Sequence, residues 1–363
     1  MEQVEQLIVL IKSAINGEKI DVPTENVEAL FEAAERHMVS ALSGYAFENA
    51  GIKNQYASEA IGKAIQKSIL LNKEIQSIYG ALEEAKIWYA PLKGIVIKNY
   101  YPKQEMREMS DVDILFDATR AEDVKRIMEN MGFSAISFDE EHHDIYIKKP
   151  FANIEMHRTL FQERNTMYEY YEDVKSRLVL DEGSQYRYHF SPEDFYVYVV
   201  AHEYLHFAFY PGTGIRALTD IYFLLKRFEK TLDWDYVEKE CAKLEILEFE
   251  EKNRKLAMHL WGDGKLTKSD KEFLQYFMTQ GVYGSTKDGV KYKVDALGGG
   301  KKGKLKYVIR RLFPPMRWIK QRMPFIYRHK SLLFAVPFIR LWQAVTSKRE
   351  VAVNELTQVI KKE

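Results

Sequence analysis

The chain has 363 residues, 46% of them apolar, with 53 basic and 53 acidic side chains and a formal net charge of zero. That composition excludes a disordered or fibrous chain and leaves room for two or three domains. Cys241 is the single cysteine, which excludes an internal disulfide framework.

No run approaches the roughly 18 uninterrupted apolar residues of a membrane span. The opening Met-Glu-Gln-Val-Glu-Gln lacks the basic and apolar regions of a signal peptide, so the cytoplasm is the expected compartment. Residues 1–86 read as an N-terminal helical region. Leu7, Ile8, Leu10, Ile11 and Ile15 form an apolar stripe that stops near Asn16-Gly17. Thr24 to Asn49 continues as helix through Val27, Leu30, Phe31, Ala34 and Met38, and a third helix is predicted from about Ser58 to Lys86. His37 stands alone and reads as a packing histidine. The bundle is expected to serve as a scaffold or to close one side of a cleft.

At Ile87 the apolar period changes to two. Strands are predicted over 87–92, 112–116, 133–138, 144–148 and 153–157, with helices over 95–100 and 121–131. The fold class is therefore α+β, a small mixed-sheet core over 87–160 flanked by N-terminal and C-terminal helical regions. Lys93-Gly94 falls where the first strand turns into a helix, whose N-terminus offers free N–H donors to an anion. In Asp111-Val-Asp113-Ile-Leu-Phe116 the two carboxylates alternate with apolar residues, so on a strand they share one face. Two like charges side by side call for a cation, and Mg²⁺ takes oxygen ligands that substrate phosphates usually complete. A third carboxylate follows in Asn153-Ile-Glu155-Met-His157, with His157 on the face of Glu155. His142 and His143, just before a predicted strand, read as a loop pair.

The series Leu92-Lys93-Gly94, Tyr101-Pro102, Arg107, Asp111-Val-Asp113-Ile-Leu115 and Ile154-Glu155-Met-His157 resembles the family of uncharacterised nucleotidyltransferases within the polymerase-beta-type superfamily. It departs from the wider superfamily at Ile95, where a serine normally follows the glycine, and in the longer distance from the glycine to the Asp pair. The resemblance implies transfer of a nucleoside monophosphate from an NTP to an unidentified acceptor hydroxyl or phosphate, with release of pyrophosphate. It implies Asp111, Asp113 and Glu155 as catalytic residues and as ligands of Mg²⁺ (or Mn²⁺). Lys93 and Gly94 would position the β- and γ-phosphates, Arg107 would neutralise the leaving pyrophosphate, and His157 would orient Glu155 or the acceptor. A non-catalytic nucleotide-binding or envelope-associated scaffold of the same fold is the alternative.

Residues 161–280 are expected to return to helix and complete the cleft. His202-Glu203-Tyr-Leu-His206 matches the H-E-x-x-H helix of a zinc metalloprotease, without a clear third ligand. The resemblance accounts for both histidines without zinc, as an A-H-x-x-x-H helix followed by Gly212-Thr-Gly214-Ile-Arg216 and Asp220. His202, His206, Arg216 and Asp220 are then expected on the wall of the nucleotide or acceptor pocket. Arg216 and Asp220, at i and i+4, also fit a plain ion pair on one helix face.

Residues 281–303, with Gly298-Gly-Gly300, are expected to be a flexible linker, and 304–363 a basic aromatic helical segment. From Lys301 to Arg349 there are fourteen Lys or Arg and no Asp or Glu, interleaved with Phe313, Trp318, Phe325, Tyr327, Phe334, Phe338 and Trp342. Leu332 to Val336 and Phe338-Ile339 are apolar but too short to span a bilayer. The segment fits an anionic membrane surface at the inner face of the membrane better than nucleic acid, or else it packs on the acidic body of its own chain.

Overall fold

The computed structural model describes residues 2–163, 165, 167–208, 212–281, 294, 299–314, 316, 319 and 323–345. At its centre lie five strands: β1 (Tyr89–Pro91), β2 (Val112–Phe116), β3 (Ser134–Ser137), β4 (His143–Lys148) and β5 (Ala152–His157), in the order β1-β2-β5-β4-β3. β2 and β5 run parallel and the other neighbours antiparallel, so the sheet is mixed and the α+β class holds.

Alternation sorts the two faces of this sheet. Val112, Ile114, Phe116, Ile154 and Met156 are buried in one apolar cluster with Val124 and Met128 of α6 (Ala121–Asn130). Asp113, Leu115, Glu155 and His157 take the opposite face.

Four helices precede the sheet: α1 (Glu2–Asn16), α2 (Val27–Arg36), α3 (Ser40–Ala50) and α4 (Gln55–Glu84). The continuous helix expected from Thr24 to Asn49 is divided into α2 and α3. Met38 between them has a left-handed φ of 53°, and the break lets the buried His37 imidazole accept the Ile215 backbone N–H at 3.3 Å. The apolar spacing carries on through that break, which hides it. α4 begins on an Asn54 cap, whose side chain accepts the Ala57 N–H at 3.2 Å. Its 30 residues make a rod of about 45 Å. Ala57 and Ile61 belong to the core of the helical body, whereas Leu71, Ile75, Ile78 and Leu82 pack under the sheet.

Beyond the sheet, residues 167–190 are not the helix expected there. They form short 3₁₀ turns and a hairpin, β6 (Leu178–Leu180) and β7 (Tyr188–Phe190), turning at Gly183 with φ 80°. The Tyr89 N–H donates to the Tyr186 carbonyl at 2.9 Å, so this segment satisfies the edge of β1. Strands of three residues are too short to display a period of two.

Then come α7 (Pro192–Ala208), α8 (Ile215–Phe228), α9 (Trp234–Lys243), α10 (Leu247–Trp261) and α11 (Lys268–Gln280). Leu7, Leu10, Leu42, Val197, Leu218 and Trp261 lie in a single apolar cluster, so the N-terminal helices and these later ones bury their stripes against each other. Of the expected linker, 282–293 and 295–298 lie outside the described residues; Gly299 and Gly300 open α12 (Gly300–Leu312), followed by α13 (Pro324–Arg328) and α14 (Val336–Val345). Among the described residues no helix is long and apolar enough to cross a membrane.

Candidate active site

The parallel register of β2 and β5 sets Asp113 directly beside Glu155, and Leu115 beside His157. β4 then brings His143 opposite His157 on the other side of β5. This face forms the floor of a cleft of about 590 Å³, and α7 and α8 form its far wall. Lys93, Gly94, Arg107, Asp111, Asp113, Glu155, His157, His202, His206, Arg216 and Asp220 all line it, so the residues given catalytic, phosphate or pocket roles from the sequence come to one cavity.

Asp113 is the most heavily bonded carboxylate of the floor. The Lys93 ammonium lies 2.6 Å from its Oδ1, and His157 Nε2 donates to the same oxygen at 2.8 Å. Burial by itself would raise the pKa of Asp113, but Lys93 and His157 outweigh it and hold the carboxyl well below the usual range. Asp111, just before β2, is pushed up instead, by burial and then by the charge of Asp113. Glu155 Oε2 stands 3.6 Å from His157 Nε2 and 3.7 Å from His143 Nε2. His157 is raised despite its burial, through its bonds to Asp113 and Glu155.

Lys93 has a strained backbone for a residue with a side chain, φ 45° and ψ −119°. Its ammonium also lies 3.2 Å from His202 Nε2, which acts as the acceptor because an ammonium only donates. Burial, followed by the charge of Lys93, keeps His202 well below its ordinary pKa and so neutral. His206, one turn along α7, is lowered to about 4 by burial and then by Lys93 and Arg216.

Gly94 opens a helix of only four residues, α5 (Gly94–Ile97). Its lack of a side chain serves Arg107: a Cβ there would meet Arg107 Nη1 at 2.2 Å. The guanidinium in turn forks onto Asp220, with Nε to Oδ1 at 3.1 Å and Nη2 to Oδ2 at 2.8 Å, and Tyr101 donates to Oδ1 at 2.7 Å. Asp220 therefore pairs with Arg107 across the two halves of the molecule, not with Arg216 along its own helix. Arg216 points Nη1 to the Glu108 carbonyl at 2.9 Å, and its buried Nε has no partner among the described residues.

Two groups of potential metal ligands, among the described residues, bring their donor atoms within 4.8 Å of one another: Asp113 with Glu155 and His157, and His142 with His143 and His157. Asp111 joins neither, nor do His202 and His206. Glu203 of the H-E-x-x-H stretch takes a bond from Asn253 Nδ2 at 2.9 Å, and burial, with Asp220 next, pushes its pKa up to about 8.

Sequence reasoning passed over His142 and His143. Their rings lie 4.4 Å apart at the mouth of β4, and both line the cleft. Burial lowers both, His142 to about 3. The signal lay in the hairpin: an antiparallel partner for Asn153 to His157 has to put its first residues opposite His157.

A family model described as uncharacterised nucleotidyltransferase matches residues 23–262, and the chain belongs to that family. No curated protein and no solved structure matches it. The matched span runs from the loop between α1 and α2 to the residue that follows α10, and it contains every residue that lines the cleft.

Proposed function

We propose that this nucleotidyltransferase moves a nucleoside monophosphate from an NTP to an acceptor hydroxyl or phosphate and releases pyrophosphate, with a divalent metal held on the sheet floor. One observation carries the reading. Asp113 and Glu155 lie in register on parallel neighbouring strands, facing a wall whose Arg216 has no carboxylate partner among the described residues. An anionic floor opposite a cationic wall suits a metal–triphosphate, which carries both signs.

The donor set fits such an ion. Oxygens of Asp113 and Glu155 converge within 4.8 Å beside His157, whose Nε2 donates to Asp113 and so positions the carboxylates, and Asp111 adds negative charge next to them. Carboxylate oxygens suit Mg²⁺ and Mn²⁺ alike. When bound, the metal would supply Lewis-acid polarisation of a phosphoryl oxygen.

The chain's own residues do the rest. Arg216 would meet the triphosphate from the wall, and the Lys93 ammonium, 2.6 Å from Asp113, is within reach to turn to a phosphate oxygen. Arg107, held by Asp220, keeps Gly94 and the start of α5 in place under the substrate. His157 orients Asp113 and Glu155. Neutral His202 and His206 are hydrogen-bonding groups for the acceptor. The test is release of pyrophosphate from each of the four NTPs with Mg²⁺ or Mn²⁺, paired with thermal shift. A ligand at a hundred times its Kd adds about 2.7 kcal/mol to stability. Neither a shift nor pyrophosphate with any NTP would sink the reading.

A further inference from the structure

We propose that the exposed faces of α12 and of residues 330–342 form a docking surface for a bilayer containing anionic phospholipid. The inference is independent of the chemistry in the cleft and rests on which side chains this segment leaves outside. Leu305 and Ile309 of α12 and Phe313, the residue that caps it, follow one another at i, i+4 and i+8, the spacing of one helix face, and all three are exposed. In the 3₁₀ turn Lys330–Ala335 and the helix α14 after it, Phe334, Phe338 and Trp342 repeat that spacing at 70%, 69% and 71% exposure. α12 and α14 are neighbours, joined where Arg340 Nε donates to the Arg311 carbonyl at 3.1 Å.

These side chains are not outside for want of a core. Ile319, Ile326 and Val336 bury against one another, and Tyr307 buries against Val294, so the segment has packing of its own that uses other residues. A water-facing helix pair rarely turns two phenylalanines and a tryptophan to solvent together.

The charge of this stretch of sequence selects the occupant. Between 301 and 349 there are fourteen Lys or Arg and no Asp or Glu. Such a field attracts a surface of many negative headgroups, while the apolar stripes enter the acyl boundary and Trp342 sits at its edge. Lys and Arg stems reach from the apolar level to the headgroups. A second copy of the same surface would bring like charges together. Nucleic acid would use the basic groups and the rings, but it gives Leu305 and Ile309 nothing apolar to enter.

The experiment is co-sedimentation of the full chain with phosphatidylcholine vesicles and with vesicles containing 30% phosphatidylglycerol, at low and high salt. The comparison protein is the triple variant Phe334→Ser, Phe338→Ser, Trp342→Ser. These positions are exposed, so circular dichroism and gel filtration of the variant should match the parent. The expected result is partition onto the anionic vesicles at least tenfold above the neutral ones, decreased by salt and decreased at least tenfold in the variant. Equal recovery with both vesicle types would overturn the proposal, as would undiminished binding by the variant. So would concentration-dependent dimers that the variant abolishes, or tighter binding to a single-stranded oligonucleotide than to the anionic vesicles.

Discussion

Two buried ion pairs flank the cleft, and they differ in whether the negative partner is satisfied. On the helical side, Asp220 receives two bonds from Arg107 and one from Tyr101, a planar fork matched by a planar carboxylate. On the sheet side, Asp113 receives Lys93 and His157, yet Asp111 and Glu155 remain close by with more negative charge than Lys93 can neutralise. The first pair joins α8 to the loop ahead of β2 and is complete as it stands. The second is held by a point charge on a flexible stem, which can change partners. Burial alone therefore does not separate a structural pair from a functional one; the remaining charge around it does.

The sharpest way to break this contrast is to remove the surplus charge. Asp111→Asn and Glu155→Gln should each lower metal-dependent turnover roughly a thousandfold, the scale of several kcal/mol of transition-state stabilisation. The thermal midpoint of Asp111→Asn should stay at or above that of the parent, because burial and Asp113 already oppose that charge, whereas Glu155→Gln should lose some stability, because, against burial, His157 and His143 hold its carboxyl below the usual range. Wild-type turnover in either variant refutes the assignment. Asp113 is a poorer probe, since Lys93 and His157 both lean on it.

Breaking the saturated pair should show up in stability. Asp220→Asn leaves Arg107 buried without its counter-charge, at a cost of roughly 3–5 kcal/mol. Urea unfolding followed by fluorescence measures it, and a midpoint equal to the parent's would show that the pair is not a clamp.

A third prediction concerns buried neutral imidazoles on either side of the contrast. Burial, then Arg36, lowers His37 to about 4; burial, then Lys93, lowers His206 to about 4. Both titrate near 6.5 in the unfolded chain. Their contribution to stability is therefore complete above about pH 6.5 and is lost as the pH falls through about 4, on the order of 3 kcal/mol for each group. Unfolding at pH 7 and at pH 4.5 should reveal the slope, and His37→Gln should flatten it. A midpoint unchanged over that interval would contradict it.

The smallest effect belongs to Lys93 itself. With the ammonium gone in Lys93→Gln, Mn²⁺ should bind the nucleotide-free protein about tenfold more tightly, or about 1.4 kcal/mol, while NTP binding weakens. Calorimetric titration with Mn²⁺ alone separates the two, and weaker metal binding would mean that Lys93 does not compete for the floor.

Much of the floor was legible in the sequence because a strand's period is local: Asp113 between Val112 and Ile114, and Glu155 between Ile154 and Met156, already fix the face. What was not legible depends on pairing at long range. The choice of Asp220 by Arg107, across 113 positions, has no local trace, and the i, i+4 spacing of Arg216 suggested a different partner. His143 acquires meaning only once β4 lies against β5. The break at Met38 was hidden because apolar spacing continued on both sides of it, and the hairpin after residue 177 because its strands are three residues long.

α4 spans both apolar cores without interruption, with Ala57 in one and Ile78 in the other. A continuous helix cannot fold at its middle without giving up main-chain hydrogen bonds. Along this edge the two cores are thus mechanically one piece, and opening or closing of the cleft has to come from the opposite side, where α7 and α8 meet the floor. Burial along the helix sets the exchange behaviour of its amides. Those from Ile75 to Leu82, seated under the sheet, should be among the slowest to exchange with solvent and should report global unfolding, while the amides of the exposed stretch 62–70 and of the start near Gln55 report local opening.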